Sequence, residues 1–523
     1  MAAFKWLTNL GRIYGASFML LIGFGYWIQG FRCFPWLAVN FYLKDVLAVD
    51  PTTLQFLQNT VFLPLVAKPV YGIISDAIYI RGAHRIPYLV IGGCLQAICW
   101  GIIALLPKGG SSVITVAALL ALTNLGSSMA DVANDALVAE CAKKKKSTGE
   151  LQSFAWFWTA AGGVLGNLVA AFAVGRVEFK LMFSVFGILV LFHACKSVSV
   201  NERSLGLRIP HSVNGAGDRR DELFSDMVVN TEKRVSTKLH PHSINESNDS
   251  QEAHVFEKSE NWYKQSSVSL ERSDFGMLHI GMPDALSEKE VRGLSIGMKK
   301  QLSDLIILVK QPDILYPLAW FVASYAMIPT LSGTMFFYQT QHLKVDPSIV
   351  GMAKVMGQVG LMGASASYSR YLKNVPLRKL LAIVQILTCM CILFDILLVK
   401  RVNVWMGIPD YMMVMGLSAY VEGIHQFKVL PLMVLLGQLC PTGSEGALLA
   451  ALMSMQCLSS IISGYMGVAL ASMLHISSHD FSELSTAILV QAFIALLPLL
   501  WISFIPAGPR ATSLPQSQQG KSI

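Results

Sequence analysis

The sequence predicts an all-α membrane protein of 12 transmembrane helices, arranged as two six-helix bundles. Three observations point there. Of the 523 residues, 53% are hydrophobic and only 14% charged, whereas about a quarter of the residues in a soluble domain carry charge. Apolar stretches of about 20 residues, the length that crosses a bilayer as a helix, follow one another along the chain, apart from one long polar interval. A short string in the first half also returns in the second. Hydrocarbon offers no partner to a free backbone N–H or C=O, so these stretches are expected to be helices.

The spans are predicted at 17–42, 54–75, 86–106, 112–139, 150–174 and 178–200, then at 313–341, 347–369, 377–399, 411–437, 444–473 and 484–505. The tenth and eleventh carry the weakest signal, because Glu422, His425 and Lys428 interrupt one and Glu445 opens the other. The domain layout follows: an N-terminal bundle over 1–200, a linker over 201–311, a C-terminal bundle over 312–506 and a tail over 507–523. The linker is rich in Ser, Asn, Asp, Glu, Lys and His with few aromatics. It has too little apolar surface to offset chain entropy, so it and the tail are expected to be mostly disordered. Ser287 and Glu290 form a capping box ahead of Val291, Leu294, Met298 and Leu302, a pattern that suits an interfacial helix leading into the second bundle.

The net charge of +8 does not point to nucleic acid. The basic residues sit between apolar stretches and in the linker, with no aromatic-basic stripe, and orientation in the membrane explains them better. With the N-terminus in the cytosol, the short inner loops and span ends hold Lys5, Arg12, Arg81, Arg85, the lysines at 143–146, Arg370, Lys373, Arg378 and Lys379. The outer ones hold Lys44, Lys108, Arg176, Lys180, Lys344, Lys400 and Arg401. The larger inner set places both termini and the linker in the cytosol. The sequons at Asn245 and Asn248 are then expected to stay bare. Residues 1–16 carry no cleavable signal pattern and no clear plastid transit peptide, so insertion is expected to rely on the first span. The nine cysteines lie in or beside apolar stretches with no CxxC pair, the usage of reduced packing thiols.

The internal echo is specific. Phe41-Tyr42, Leu47, Val49-Asp50-Pro51 and Thr52 recur without a gap as Phe337-Tyr338, Leu343, Val345-Asp346-Pro347 and Ser348. An Asp-Pro pair can start a helix, with Asp at the N-cap and Pro at the first helical position. Gly149-Glu150 and Ser444-Glu445 match again before the fifth and eleventh spans. Two half-repeats of six spans are the layout of major facilitator transporters, with a substrate site between the halves near mid-membrane.

Each ionisable group inside a span costs about 2.5–3.5 kcal/mol on insertion scales and therefore asks for a partner or a purpose. Asp131 and Asp135, at i and i+4, share one face of the fourth span, with Asn124 two turns back on nearly the same side. Two acids so close suit proton carriage, and a structural ion pair with a neighbouring helix is the other reading. Arg32 in the first span, Lys68 in the second and Lys354 in the eighth are the cationic counterparts, suited equally to an anionic substrate or to neutralising the two acids. Lys68, two turns before Asp76, also suits snorkelling to the cytosol. Asp395 and His193, near span ends, are expected to be solvated. Gly72-Ile73-Ile74-Ser75-Asp76 with Arg81, Gly82, His84 and Arg85 resembles the gating loop between the second and third helices of major facilitators, where an Asp and nearby basic residues latch neighbouring helix ends.

Enzyme chemistry finds no support. Gly215-Ala216-Gly217-Asp218 matches an intramembrane aspartyl protease string but lies in the polar linker. No phosphate-cradling loop and no clustered metal ligands occur, so no ATP drive, cofactor or metal is expected.

Four stretches resemble the folate-biopterin transporter family of the major facilitator superfamily, in its plant and cyanobacterial form. They are Gly30-Phe31-Arg32-Cys33-Phe34-Pro35; Lys68-Pro69 through Gly72 to Ser75-Asp76 with Arg85-Ile86-Pro87-Tyr88; Ser128-Met129-Ala130-Asp131 through Asn134-Asp135-Ala136-Leu137 to Glu140; and Cys440-Pro441-Thr442-Gly443-Ser444-Glu445. Gly149-Glu150-Leu151-Gln152-Ser153 is similar to the family's Gly-Ser-Leu-Gln-Ser, with an acid at one position. The resemblance implies secondary transport of folates or pterins, with protons as the coupling ion and alternating access as the mechanism. It also implies roles: Asp131, Asp135 or Glu445 would take the donor pair on the pterin edge, and Arg32, Lys68 or Lys354 would hold the two carboxylates of the glutamate tail. A major facilitator for another organic anion or a sugar, or a receptor or scaffold signalling through the linker, are the alternatives.

Overall fold

The computed structural model describes residues 10–78, 80, 83, 85–107, 112–144, 148–200, 303, 306–307, 309–372, 375–439 and 445–505, without the side chains of a few helical stretches, chiefly 143–144, 148–150 and 433–449. All of them fall in one compact unit formed by Met1–Ile209 and Arg292–Ile523. The expected interfacial helix, the sequons and the tail lie outside the described residues.

Every predicted span is helical. The first half comprises α1 (Ala16–Phe31), α2 (Cys33–Phe41), α3 (Pro51–Val61), α4 (Leu63–Val66), α5 (Lys68–Ala77), α6 (Ile86–Leu105), α7 (Val113–Lys144), α8 (Thr148–Ala173) and α9 (Phe179–Val198). The second half comprises α10 (Pro312–Ala326), α11 (Ser332–Phe337), α12 (Pro347–Ser367), α13 (Leu377–Val399), α14 (Val402–Trp405), α15 (Asp410–Leu439), α16 (Glu445–Met473) and α17 (Leu484–Leu496). Seven helices among the described residues are long and apolar enough to cross a membrane.

The first, second and seventh predicted spans are broken at proline, and the physics of each break is simple. Pro35 has no N–H for the Phe31 carbonyl, so the first span divides at Arg32 into α1 and α2. Pro64 and Pro69 cut the second span into α3, α4 and α5, and Pro329 lies in the gap between α10 and α11. Each break frees backbone groups that some other side chain must then satisfy.

The repeated string folds the same way twice. Tyr42–Val46 and Tyr338–His342 are π-helical turns. Each is followed by a left-handed residue, Ala48 with φ of 50° and Lys344 with φ of 52°. Asp50 then caps α3 by accepting from the Thr53 amide, and Asp346 caps α12 by accepting from the Ser348 amide at 2.9 Å. Pro51 and Pro347 stand in the first turn of each helix.

Packing is aromatic in the first half. Trp100, fully buried on α6, has its ring centroid 5.5 and 5.6 Å from those of Phe183 and Phe186 on α9. The halves meet along two seams: α12 against α8, and α16 against α3, α4 and α5. At the Asp50 end the second seam is closed by Gln55, a buried side chain of α3. Its Nε2 donates to the carbonyls of Gly464, at 2.9 Å, and Thr330, while its Oε1 accepts from the Gly333 amide at 2.9 Å. One side chain of the first half thus satisfies backbone groups that the α10–α11 break left free in the second. A Cβ added at Gly467 would collide with the Thr330 carbonyl, so the close approach of α16 to that break requires glycine.

Candidate functional site

The α1–α2 break puts Arg32 at a helix junction, and the break before α5 puts Lys68 at that helix's first residue. Both reach Asp131 on α7. Arg32 Nη2 donates to Oδ1 at 2.8 Å and Nη1 to Oδ2 at 3.3 Å, and Lys68 Nζ donates to Oδ2 at 3.3 Å. Asp131 is 6% exposed and the two cations 16% and 18%, so the anion is the dry centre and the cations are its wetter flanks. Arg32 Nε is buried with no hydrogen-bond partner among the described residues. Asp135, one turn along the same face, is exposed and accepts from the Tyr26 hydroxyl at 2.6 Å. Arg32, Lys68, Asp131 and Asp135 together sum to zero formal charge, which makes the group affordable in a medium that penalises net charge.

The sequence expectations divide here. Arg32, Lys68, Asp131 and Asp135 come together. Lys68 does not snorkel: its amine turns to Asp131. Lys354 on α12 is exposed and forms no ion pair among the described residues, so it neutralises neither acid. The Glu445 side chain lies outside the described residues. Asn124 is not part of the acidic site, since its amide donates to the Val61 carbonyl at 2.7 Å and repairs the α3–α4 break. His193 is buried rather than solvated, with Nε2 3.3 Å from the Leu21 carbonyl, because the α9 face that carries it packs on α1. Asp395 is half-buried, one turn inside the end of α13.

The predicted gating loop brings Asp76 and Arg85 into contact; Arg81 lies outside the described residues. Arg85, buried, donates from Nε and Nη2 to Glu140 Oε1 at 3.0 and 2.7 Å and also reaches Asp76 and the Ser75 hydroxyl. A single guanidinium therefore ties the ends of α5, α6 and α7 together. No sequence motif marks Glu140 as a latch partner, although its distance from Asp131, two and a half turns on α7, puts it at the helix end where Arg85 arrives.

A second polar cluster, unassigned from the sequence, occupies the second half. Lys428 of α15 is 3% exposed. Its amine donates to the Ser324 carbonyl at 3.0 Å and lies 4.1 Å from the Tyr325 ring centroid and 5.6 Å from that of Trp320. His425, one turn earlier, contacts the Tyr325 hydroxyl through Nδ1 at 3.3 Å and Gln456 of α16 through Nε2 at 3.2 Å. The signal was present, since Glu422, His425 and Lys428 stood out as interruptions of a span.

A family model described as the BT1 family matches residues 29–521. This chain belongs to the BT1 family. Relatives from Arabidopsis thaliana include one named "Probable folate-biopterin transporter 7", 36% identical with 93% of this chain and 92% of the relative covered, and one named "Probable folate-biopterin transporter 4", 35% identical with 96% and 98% covered. A "Folate-biopterin transporter" of Synechocystis sp. is 26% identical over 92% of this chain and 80% of its own length. Among solved structures, a D-xylose-proton symporter aligns with a TM-score of 0.58 at 14% identity, covering 94% of this chain and 98% of its own. A POT family transporter aligns with a TM-score of 0.58 at 12% identity, covering 94% and 96%. These structures share the fold, that of major facilitators. This BT1 family member is accordingly an integral multi-pass membrane transporter and not an enzyme.

Proposed function

We propose that this BT1 protein is a secondary transporter of folates or pterins, coupled to protons and working by alternating access of its two halves. The observation that carries the reading is the Arg32–Lys68–Asp131 triad around a buried carboxylate, with Asp135 exposed one turn away, on helices that α16 of the other half packs beside. Asp131, held by two cations, is the anchor. Asp135, which has a phenol and no ion-pair partner among the described residues, is the group that exchanges protons or takes the donor pair of a pterin edge. Glu445 and Lys354 remain in the proposed substrate path as its second-half contributors. Twelve crossings with both termini and the linker in the cytosol put the Arg85 latch on the cytosolic side and the Gln55 closure on the opposite side. Importing a dianion against a negative-inside potential costs about 2.3 kcal/mol per charge per 100 mV, and proton symport offsets that cost.

The test is uptake by purified protein in liposomes. Labelled folate and biopterin accumulate under an inward proton gradient and compete with each other, while a sugar and an unrelated organic anion do not compete. Protein that moves and binds neither solute under any gradient overturns the reading.

A further inference from the structure

Lys428 presents a charge problem that the described residues do not solve. It lies 18 residues into the 30-residue α15, too deep for its amine to reach an interface, and it is 3% exposed. Among the described residues no carboxylate lies within ion-pair distance of it. Glu422, the nearest acid on α15, is six residues from Lys428, about 9 Å along the axis; one turn from His425, its charge acts on His425 and Tyr325 and not on the amine itself. The partners of Lys428 are neutral: the Ser324 carbonyl and the faces of Tyr325 and Trp320. The carbonyl is available because α10 ends at Ala326, and the negative end of that helix offsets about half a charge. Among the described residues the remainder has no counter-ion.

The neighbours of the amine are arranged as donors. With the Gln456 amide donating to His425 Nε2, the imidazole proton sits on Nδ1 and is given to the Tyr325 oxygen. The phenol O–H is then free to donate to something else. Tyr325, His425 and Gln456 are only half-buried, while Lys428 is buried. A cation without an anion, fronted by a free hydroxyl, is the chemistry of a carboxylate site.

We propose that Lys428, Tyr325 and His425 form an anion subsite in the second half that takes the carboxylate end of the transported solute. The inference rests on the function proposed above. It assigns the tail of a folate to the second half and leaves the first-half acids to the ring. Biopterin, which has a pterin ring and no carboxylate, separates the two ends.

The experiment measures initial uptake of labelled folate and of biopterin by the full chain in liposomes, for the wild type and for Lys428→Gln, Lys428→Arg and Tyr325→Phe. Losing a charge-assisted hydrogen bond predicts a rise in folate KM of about tenfold or more for Lys428→Gln, with biopterin uptake changed less than about twofold and Lys428→Arg restoring most of the folate affinity. Tyr325→Phe raises folate KM about threefold and spares biopterin. Equal loss of both solutes in Lys428→Gln makes Lys428 a structural cap for α10 and overturns the subsite alone. If Lys428→Gln does not elute as a single species, Tyr325→Phe decides, and an unchanged folate-to-biopterin ratio overturns the subsite. Wild-type protein that moves neither solute overturns the substrate reading and the subsite with it.

Discussion

The two halves of this transporter bury positive charge in opposite ways. In the first half Arg32 and Lys68 share Asp131 through direct bonds, and with Asp135 one turn away the four charges sum to zero within the protein. In the second half Lys428 is held by a carbonyl and two aromatic faces, with no ion pair among the described residues. The same helical repeat thus supplies a closed electrostatic unit and an open one. A closed unit gives rigidity and a fixed geometry, whereas an open one leaves affinity for a ligand that brings the missing charge.

The sharpest way to break this comparison is to neutralise one residue on each side. Asp131→Asn orphans two cations and is expected to cost about 3–5 kcal/mol, the penalty of breaking a buried ion pair. Lys428→Met orphans only the Ser324 carbonyl, and the expected cost is about 1–3 kcal/mol. Thermal unfolding in detergent, followed with a thiol-reactive dye, should rank the two variants in that order. The reverse ranking would mean that Lys428 is the more integrated charge. A smaller effect is expected at the seam. Gln55→Ala leaves the Thr330 and Gly464 carbonyls and the Gly333 amide without their partner, so that end should open more often. A cysteine placed at Ser463 should then react with a membrane-impermeant thiol reagent several times faster than in the parent, a shift of about 1 kcal/mol or more in the closing equilibrium.

The smallest effect belongs to the repeated caps. Hydrogen bonds from Ser348 hold the Asp346 carboxyl below the usual carboxylate range. Burial opposes the same shift at Asp50, but the bonds from Thr52 and Thr53 prevail. Lowered folded-state values mean that the caps stabilise fully above the unfolded value of about pH 4 and lose their effect as pH falls through the folded one. Asp346→Ala should cost about 1 kcal/mol at neutral pH and nothing measurable in strong acid.

Much of this was legible in the sequence, and the parts that were not have a physical reason. Hydropathy located the long helical stretches, though not the short α14, because a bilayer imposes length and backbone closure on each crossing. The Asp-Pro echo foretold two matching caps, and i, i+4 spacing placed Asp131 and Asp135 on one face. Periodicity does not reveal which cation finds which anion, because that depends on where broken helices cross: Lys68 meets Asp131 through the α4–α5 break, and Lys354 stays apart. The burial of His193 is not legible in the sequence, because distance from a span end says nothing about the neighbour packed over that end. Lys428 interrupts a hydrophobic pattern and is recognisable as unusual, but its neutral partners come from α10, with Ser324 lying 104 residues earlier in the chain.

The most direct measurement of the central claim is solute movement by Asp135→Asn in liposomes, with exchange and accumulation compared in one preparation. If Asp135 couples solute to protons while the Asp131 triad only holds the frame, the variant keeps folate exchange between equal concentrations at a rate within a few-fold of wild type. It should also lose accumulation under an imposed proton gradient and show a flat pH profile. Accumulation that follows pH as in the wild type would contradict the account and return Asp135 to a structural role.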